Sequence, residues 1–279
     1  MSTLSCSVFG VKRLFVVLSA CVLTSCSVMD VVGPRANGEV MALARQASAD
    51  EASLAGDPAA QSLRSTHAGE LVAEAARLCG TDPAGNLPSP CDVSLDGAEL
   101  PAGARDAGEL VAQVRSHTVA AADKLPPESV DLAVAQAVDT VALEPVDLGG
   151  LALGDAPAPD LASARHMLEQ EYAFEYGLGL ATAWADEPLI ARVDALRDAS
   201  DARRTSLLVA LEPTGDVPAP LPGYEVADSA SVADSPSAAE FVDRLNADLL
   251  AQWRSAAADA EGRQWRDAAI GLAAHAQRA

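Results

Sequence analysis

Apolar residues recur at intervals of three and four along almost the whole chain, the spacing of one face of an α-helix, and β-branched runs are short. Ala and Leu dominate these stretches and add intrinsic helix propensity. A first helix follows Asn37, with Val40, Leu43, Ala44, Ala47 and Leu54 on one face. Asp57-Pro58, an N-cap with Pro at the first helical position, opens a second through Leu63, Leu71, Ala75 and Leu78. After a Gly- and Pro-rich loop over 79–104, Asp106-x-x-Glu109 resembles a capping box for a third helix, with Asp in place of Ser or Thr. Pro126-Pro127 separates it from a fourth over 128–143. Gly149-Gly150 and Pro157-x-Pro159 then reset the chain. Four more helices are predicted over 160–185, 188–211, 236–260 and 262–278, two of them introduced by Glu187-Pro188 and Ser235-Pro236. The fold class is therefore all-α.

The two halves read as a divergent repeat. Asp57-Pro58 with Leu63-Arg64 corresponds to Glu187-Pro188 with Leu196-Arg197, and Gly108-Glu109-Leu110-Val111 to Ala239-Glu240-Phe241-Val242. Each half places its long loop between its second and third helices. Aromatic residues divide the chain at the same place: beyond the N-terminal segment they all lie between Tyr172 and Trp265. Two domains are expected, a helical bundle with a disulfide loop over 37–143 and a second four-helix bundle over 160–279, joined by a linker at 144–159.

The N-terminal segment follows a different template. Lys12-Arg13 precede the apolar run Leu14–Val22, which is too short to span a bilayer and has the form of an export signal. Leu23-Thr24-Ser25-Cys26 resembles a lipobox, which implies acylation of Cys26, removal of the signal peptide 1–25 and a lipidated tether over 26–36. Several acyl chains on one Cys hold a protein durably on a membrane. The expected location is the extracytoplasmic face of the cell membrane, with other envelope components as partners. Of the five cysteines, Cys6 and Cys21 leave with the signal, so Cys79 and Cys91 remain as an even pair, expected to be disulfide-bonded outside the cytosol. Closing that loop contributes about 3 kcal/mol in the chain-entropy picture.

Charge narrows the partners. The chain carries 19 basic and 40 acidic residues; without Lys12 and Arg13 the balance is 17 against 40, or −23. Such a surface repels phosphate backbones, which argues against nucleic acid.

From residue 160 to 279 the order of features resembles the ferritin-like domain of an uncharacterised lipoprotein family from high-GC Gram-positive bacteria. The resemblance rests on Leu168-Glu169-Gln170-Glu171-Tyr172-Ala173-Phe174-Glu175-Tyr176-Gly177, on Ala202-Arg203-Arg204-Thr205-Ser206-Leu207, on the Pro-rich connection 212–235 and on Ala251-Gln252-Trp253-Arg254. It implies a four-helix bundle, whose parallel second and third helices require a long crossover, and it carries no known reaction. The preceding half is then a divergent second bundle.

A di-iron centre in that fold needs Glu from two helices and Glu-x-x-His from the other two. The second half lacks the set: Asp198-x-x-Asp201 stands where Glu-x-x-His is wanted, and His166-x-x-Glu169 has the order reversed. Glu171 and Glu175 are therefore expected to form a buried ion-pair network with Arg203 and Arg204, and no cofactor is expected. A metal site in the first half, built on His67, Glu70 and His117 with Glu74 and Asp50 or Glu51 nearby, is the alternative. A carrier of a small apolar ligand, with Tyr172, Tyr176, Trp184 and Trp253 lining a cleft, is another. No Gly-x-Ser-x-Gly elbow or phosphate loop is present. The leading expectation is a non-catalytic binding or scaffolding module, not an enzyme.

Overall fold

The computed structural model describes residues 34–82, 84–227 and 232–279. The export signal and Cys26 lie outside these residues. The described residues contain eight α-helices and no strands: α1 (Gly38–Ser53), α2 (Pro58–Cys79), α3 (Ala107–Ala121), α4 (Pro127–Val141), α5 (Ala158–Thr182), α6 (Glu187–Leu211), α7 (Ser235–Ala258) and α8 (Arg263–Arg278). A 3-10 turn, Glu212–Thr214, extends α6.

Local chemistry explains where these helices start. Asn37 accepts from the Glu39 and Val40 amides, Asp57 from Ala60, Asp186 from Leu189, and Asp234 forms a reciprocal capping box with Ser237. Asp106 caps α3 through the Glu109 amide, but Glu109 turns back to the Arg105 amide and not to that of Asp106, so only half of the expected box forms.

Within the first half, α1 packs on α2 and α3, and α4 packs on α2 and α3. The second half repeats the pattern: α5 packs on α6 and α7, and α8 on α6 and α7. The halves meet where α4 lies against α7 and α8, and α3 against α8. Across the 144–159 connection the larger apolar cluster is continuous, running from Leu110, Val134 and Val138 into Ala269, Ile270 and Ala273. Ion pairs Arg115–Asp267, Arg254–Asp139 and Arg266–Asp123 flank this contact. A smaller, Ala-rich cluster around Val40, Met41, Ala44, Ala68 and Leu71 belongs to the first half. No described helix is long and apolar enough to cross a membrane.

Candidate functional site

The apolar face of α5 carries Ala164, Met167, Leu168, Phe174 and Leu178, and Glu171 falls within that stripe. On α6 the inward stripe Leu189, Val193, Leu196 and Leu207 is interrupted by Ser200 and Arg203. Glu171 and Ser200 are fully buried and Arg203 is 1% exposed, so the charged pair must be satisfied within the protein.

It is satisfied completely at the carboxylate. Glu171 Oε1 accepts from Arg203 Nε at 2.6 Å and from Trp253 Nε1 at 2.8 Å. Its Oε2 accepts from Ser200 Oγ at 2.7 Å and Arg203 Nη2 at 3.1 Å. The fork-to-fork Arg–carboxylate geometry is the strong form of this interaction. Arg203 Nη1 points at His275 Nδ1 on α8, 3.3 Å away. A guanidinium only donates, so this contact holds His275 neutral with Nδ1 as acceptor; burial and Arg203 push its pKa down.

The expected four-residue network thus divides. Glu175, one turn along α5 and about 40° around it, pairs with Arg197 at 3.4 Å and more loosely with Arg204 at 3.9 Å, and all three are partly solvated. Arg204 also lies over the Tyr172 ring. Ser200, Trp253, His275 and Arg197 were not predicted as members of these ion-pair clusters. Trp253 had one available signal: a wholly buried indole N–H needs an acceptor.

Residues 163–279 match the family described as a domain of unknown function, DUF4439. The DUF4439 segment therefore holds every member of the Glu171 cluster. No curated protein and no solved structure matches the chain.

A second buried acid lies outside the DUF4439 segment. Asp50 on α1, fully buried, binds Arg64 on α2 through Oδ2, with Nε and Nη2 both at 3.0 Å. Arg64 Nη1 then meets His67 Nδ1 at 3.2 Å. An acid, an Arg and a neutral His recur in both halves, although Asp50 and Arg64 do not align with Glu171 and Arg203 in the repeat.

This arrangement corrects the metal-site alternative. Arg64 occupies Nδ1 of His67, Glu70 is exposed and accepts from Gln136 Nε2 at 2.8 Å, and His117 is exposed. Thr118, one residue on, takes the inward position after Leu110 and Val114. Glu74 is engaged by Arg77 and Ser129. Among the described residues no group of three or more His, Cys, Asp or Glu side chains is placed to hold a metal ion. Cys79 and Cys91 are disulfide-bonded.

His67 carries a pH signature. Burial first, and then the Arg64 charge, lower its pKa from 6.5 to about 4. A base whose pKa is depressed on folding contributes stability that is present above pH 6.5 and lost as pH falls toward 4. The full loss is about 3 kcal/mol. Urea unfolding at pH 7 and pH 4, compared between the native chain and His67→Gln, is expected to show a smaller acid loss in the variant; equal losses would remove His67 from the account.

Proposed function

We propose that the chain is a lipid-anchored protein of the cell envelope, a non-catalytic binding or scaffolding module built on two related four-helix units, the second a degenerate ferritin-like bundle. The neighbour pattern of α5–α8, with α5 between α6 and α7 and a long connection before α7, supports the bundle reading. The Lys12–Cys26 segment supports the anchor.

The observation that carries the non-catalytic reading is the saturation of Glu171. All four of its hydrogen bonds come from protein donors, and the charge beside it is a guanidinium that cannot be deprotonated. A resident di-iron centre does not fit these residues, because Arg203 supplies the positive charge an inward carboxylate requires. The cluster's work is to fix the packing of α5, α6, α7 and α8.

The test combines fatty-acid labelling and elemental analysis in an envelope-forming host. The native chain is expected to incorporate palmitate and to lose residues 1–25, and Cys26→Ala to do neither. The purified protein is expected to hold no stoichiometric iron, manganese or zinc after metal supplementation. An unlabelled native chain would overturn the anchor, and stoichiometric metal lost on Glu171→Gln would overturn the non-metallic reading.

A further inference from the structure

In the second half one cluster joins four helices: Glu171 draws donors from α6 and α7, and Arg203 meets His275 of α8. The first half also brings one polar side chain from each of its helices to a common point. Gln46 of α1, Arg64 of α2, Thr118 of α3 and Gln136 of α4 line a single narrow cavity, with the exposed His117 at its mouth. None of the four is more than 8% exposed.

Here the protein groups do not complete one another. Gln46 Nε2 is committed to Asp50 and the Ala102 carbonyl, and Gln136 Nε2 to Glu70 and the His67 carbonyl. Among the described residues no donor is paired with Gln46 Oε1 or Gln136 Oε1, and the Thr118 hydroxyl has no partner. Arg64 turns Nε and Nη2 to Asp50 and Nη1 to His67, which engages three of its five N–H groups and leaves two. Buried acceptors left in this state are costly unless something donates to them. None of the three oxygens is among the side-chain atoms that are both unpartnered and shut from solvent, so a water-sized sphere reaches each of them.

We propose that this cavity is the binding site of one internal water, which accepts from Arg64, donates to Gln46 Oε1 and Gln136 Oε1, and has the Thr118 hydroxyl as its fourth partner. The size agrees: the cavity gives about 20 Å³ to the centre of a water molecule, and one such molecule needs about 10–15 Å³ by that measure. The chemistry excludes ions. A cation would lie against the Arg64 guanidinium, and an anion would face two amide oxygens whose NH2 groups are turned to other acceptors. A ring does not fit, and the aromatic residues expected to line an apolar cleft are placed elsewhere: Trp253 is buried on Glu171, Trp184 is 49% exposed, and Tyr176 stacks on Tyr224. The water joins α1, α2, α3 and α4 at one point, as Glu171 and Arg203 join the helices of the second half. The site is independent of the lipid anchor and of the Glu171 cluster, so its failure would leave both readings untouched.

The test applies two NMR measurements to the full chain in lipid nanodiscs. Water-selective nuclear Overhauser spectra, with isotope-labelled glutamine amides and threonine methyls, locate a resident water. Relaxation dispersion of the water oxygen, which is blind to exchangeable protons, counts long-lived internal waters. Cross-peaks from water to the Gln46 and Gln136 amides and to the Thr118 methyl are expected, of the same sign as the diagonal. Thr118→Leu, which fills the cavity, is expected to remove the glutamine cross-peaks and to lower the count by one water. Should that variant fail to fold, Ala133→Val, which adds methyl groups at another lining position, takes its place. Absence of the cross-peaks in the native chain would overturn the proposal whether or not either variant folds. So would an unchanged count in the folded variant, or shifts of the two amide signals that saturate with sodium or ammonium chloride, which would put an ion in place of the water.

Discussion

Arg203→Met is expected to destabilise the protein by about 3–5 kcal/mol, because it leaves the Glu171 carboxylate buried without its counter-charge. Net stabilities are only about 5–15 kcal/mol, so the loss removes a large part of the total. Two of the four hydrogen bonds to Glu171 come from Arg203, and Ser200 and Trp253 cannot offset a charge at a site with no solvent access. Glu171→Gln on the Arg203→Met background is expected to recover about 2 kcal/mol, since the amide oxygen still accepts from Trp253 and no charge is left stranded. Urea unfolding of the native chain, both single variants and the double variant measures this cycle. A cost below about 1 kcal/mol for Arg203→Met would place the pair among ion pairs that solvent reaches, and the account of the core given above would fail.

That pair also shows how far the sequence can be read. The helices were legible because their ends are written locally: Asn37, Asp57, Asp186 and Asp234 each cap the amides that follow, and Pro58, Pro127 and Pro188 stand at first-turn positions. Every predicted helix is found with its start within about two residues, the usual scatter of helix ends. The neighbour pattern shared by α1–α4 and α5–α8 agrees with the repeat read from the two Pro-initiated helices.

Side-chain direction was less legible. Glu171 and Glu175 stand one turn apart, yet four residues rotate a position by about 40° around the helix, which carries Glu175 to the solvated edge beside Arg197. His117 and the inward Thr118, neighbours in sequence, stand about 100° apart around α3, which turns the imidazole outward. Ser200, Trp253 and His275 share one carboxylate–guanidinium cluster only because α6, α7 and α8 converge there, and no spacing within one helix encodes that convergence. Aromatic content marked the second half as different, but it did not mark a break in the core: α3 and α4, which have no aromatic residues, pack their Leu and Val side chains into the same cluster as Trp253 and Trp265.

Asp50→Asn is expected to cost about 3 kcal/mol, and its effect reaches beyond helix packing. Asp50 Oδ1 accepts from the Ala104 amide at 3.0 Å and from Gln46 Nε2 at 2.9 Å, while Oδ2 holds Arg64. Gln46 also donates to the Ala102 carbonyl, and Ser53 Oγ to that of Ala104. Residues 102–104, the end of the long connection that begins at Cys79, are therefore strapped along α1 through their backbone. Gly103 permits that approach, since a Cβ there would collide with the Ala49 carbonyl. An Asn can accept from Ala104 and Gln46 or from Arg64, but its amide group then faces the donors on the other side, which lose their acceptor whichever way it turns. Amide exchange at Ala104 and proteolysis within 80–101 are expected to accelerate in Asp50→Asn beyond the change in global stability. Reduction of Cys79–Cys91 alone is expected to expose 80–101 while leaving Ala104 protected, because the strap and the disulfide hold opposite ends of the connection. Equal loss of protection at Ala104 on reduction would mean that the disulfide, and not Asp50, holds this segment on α1.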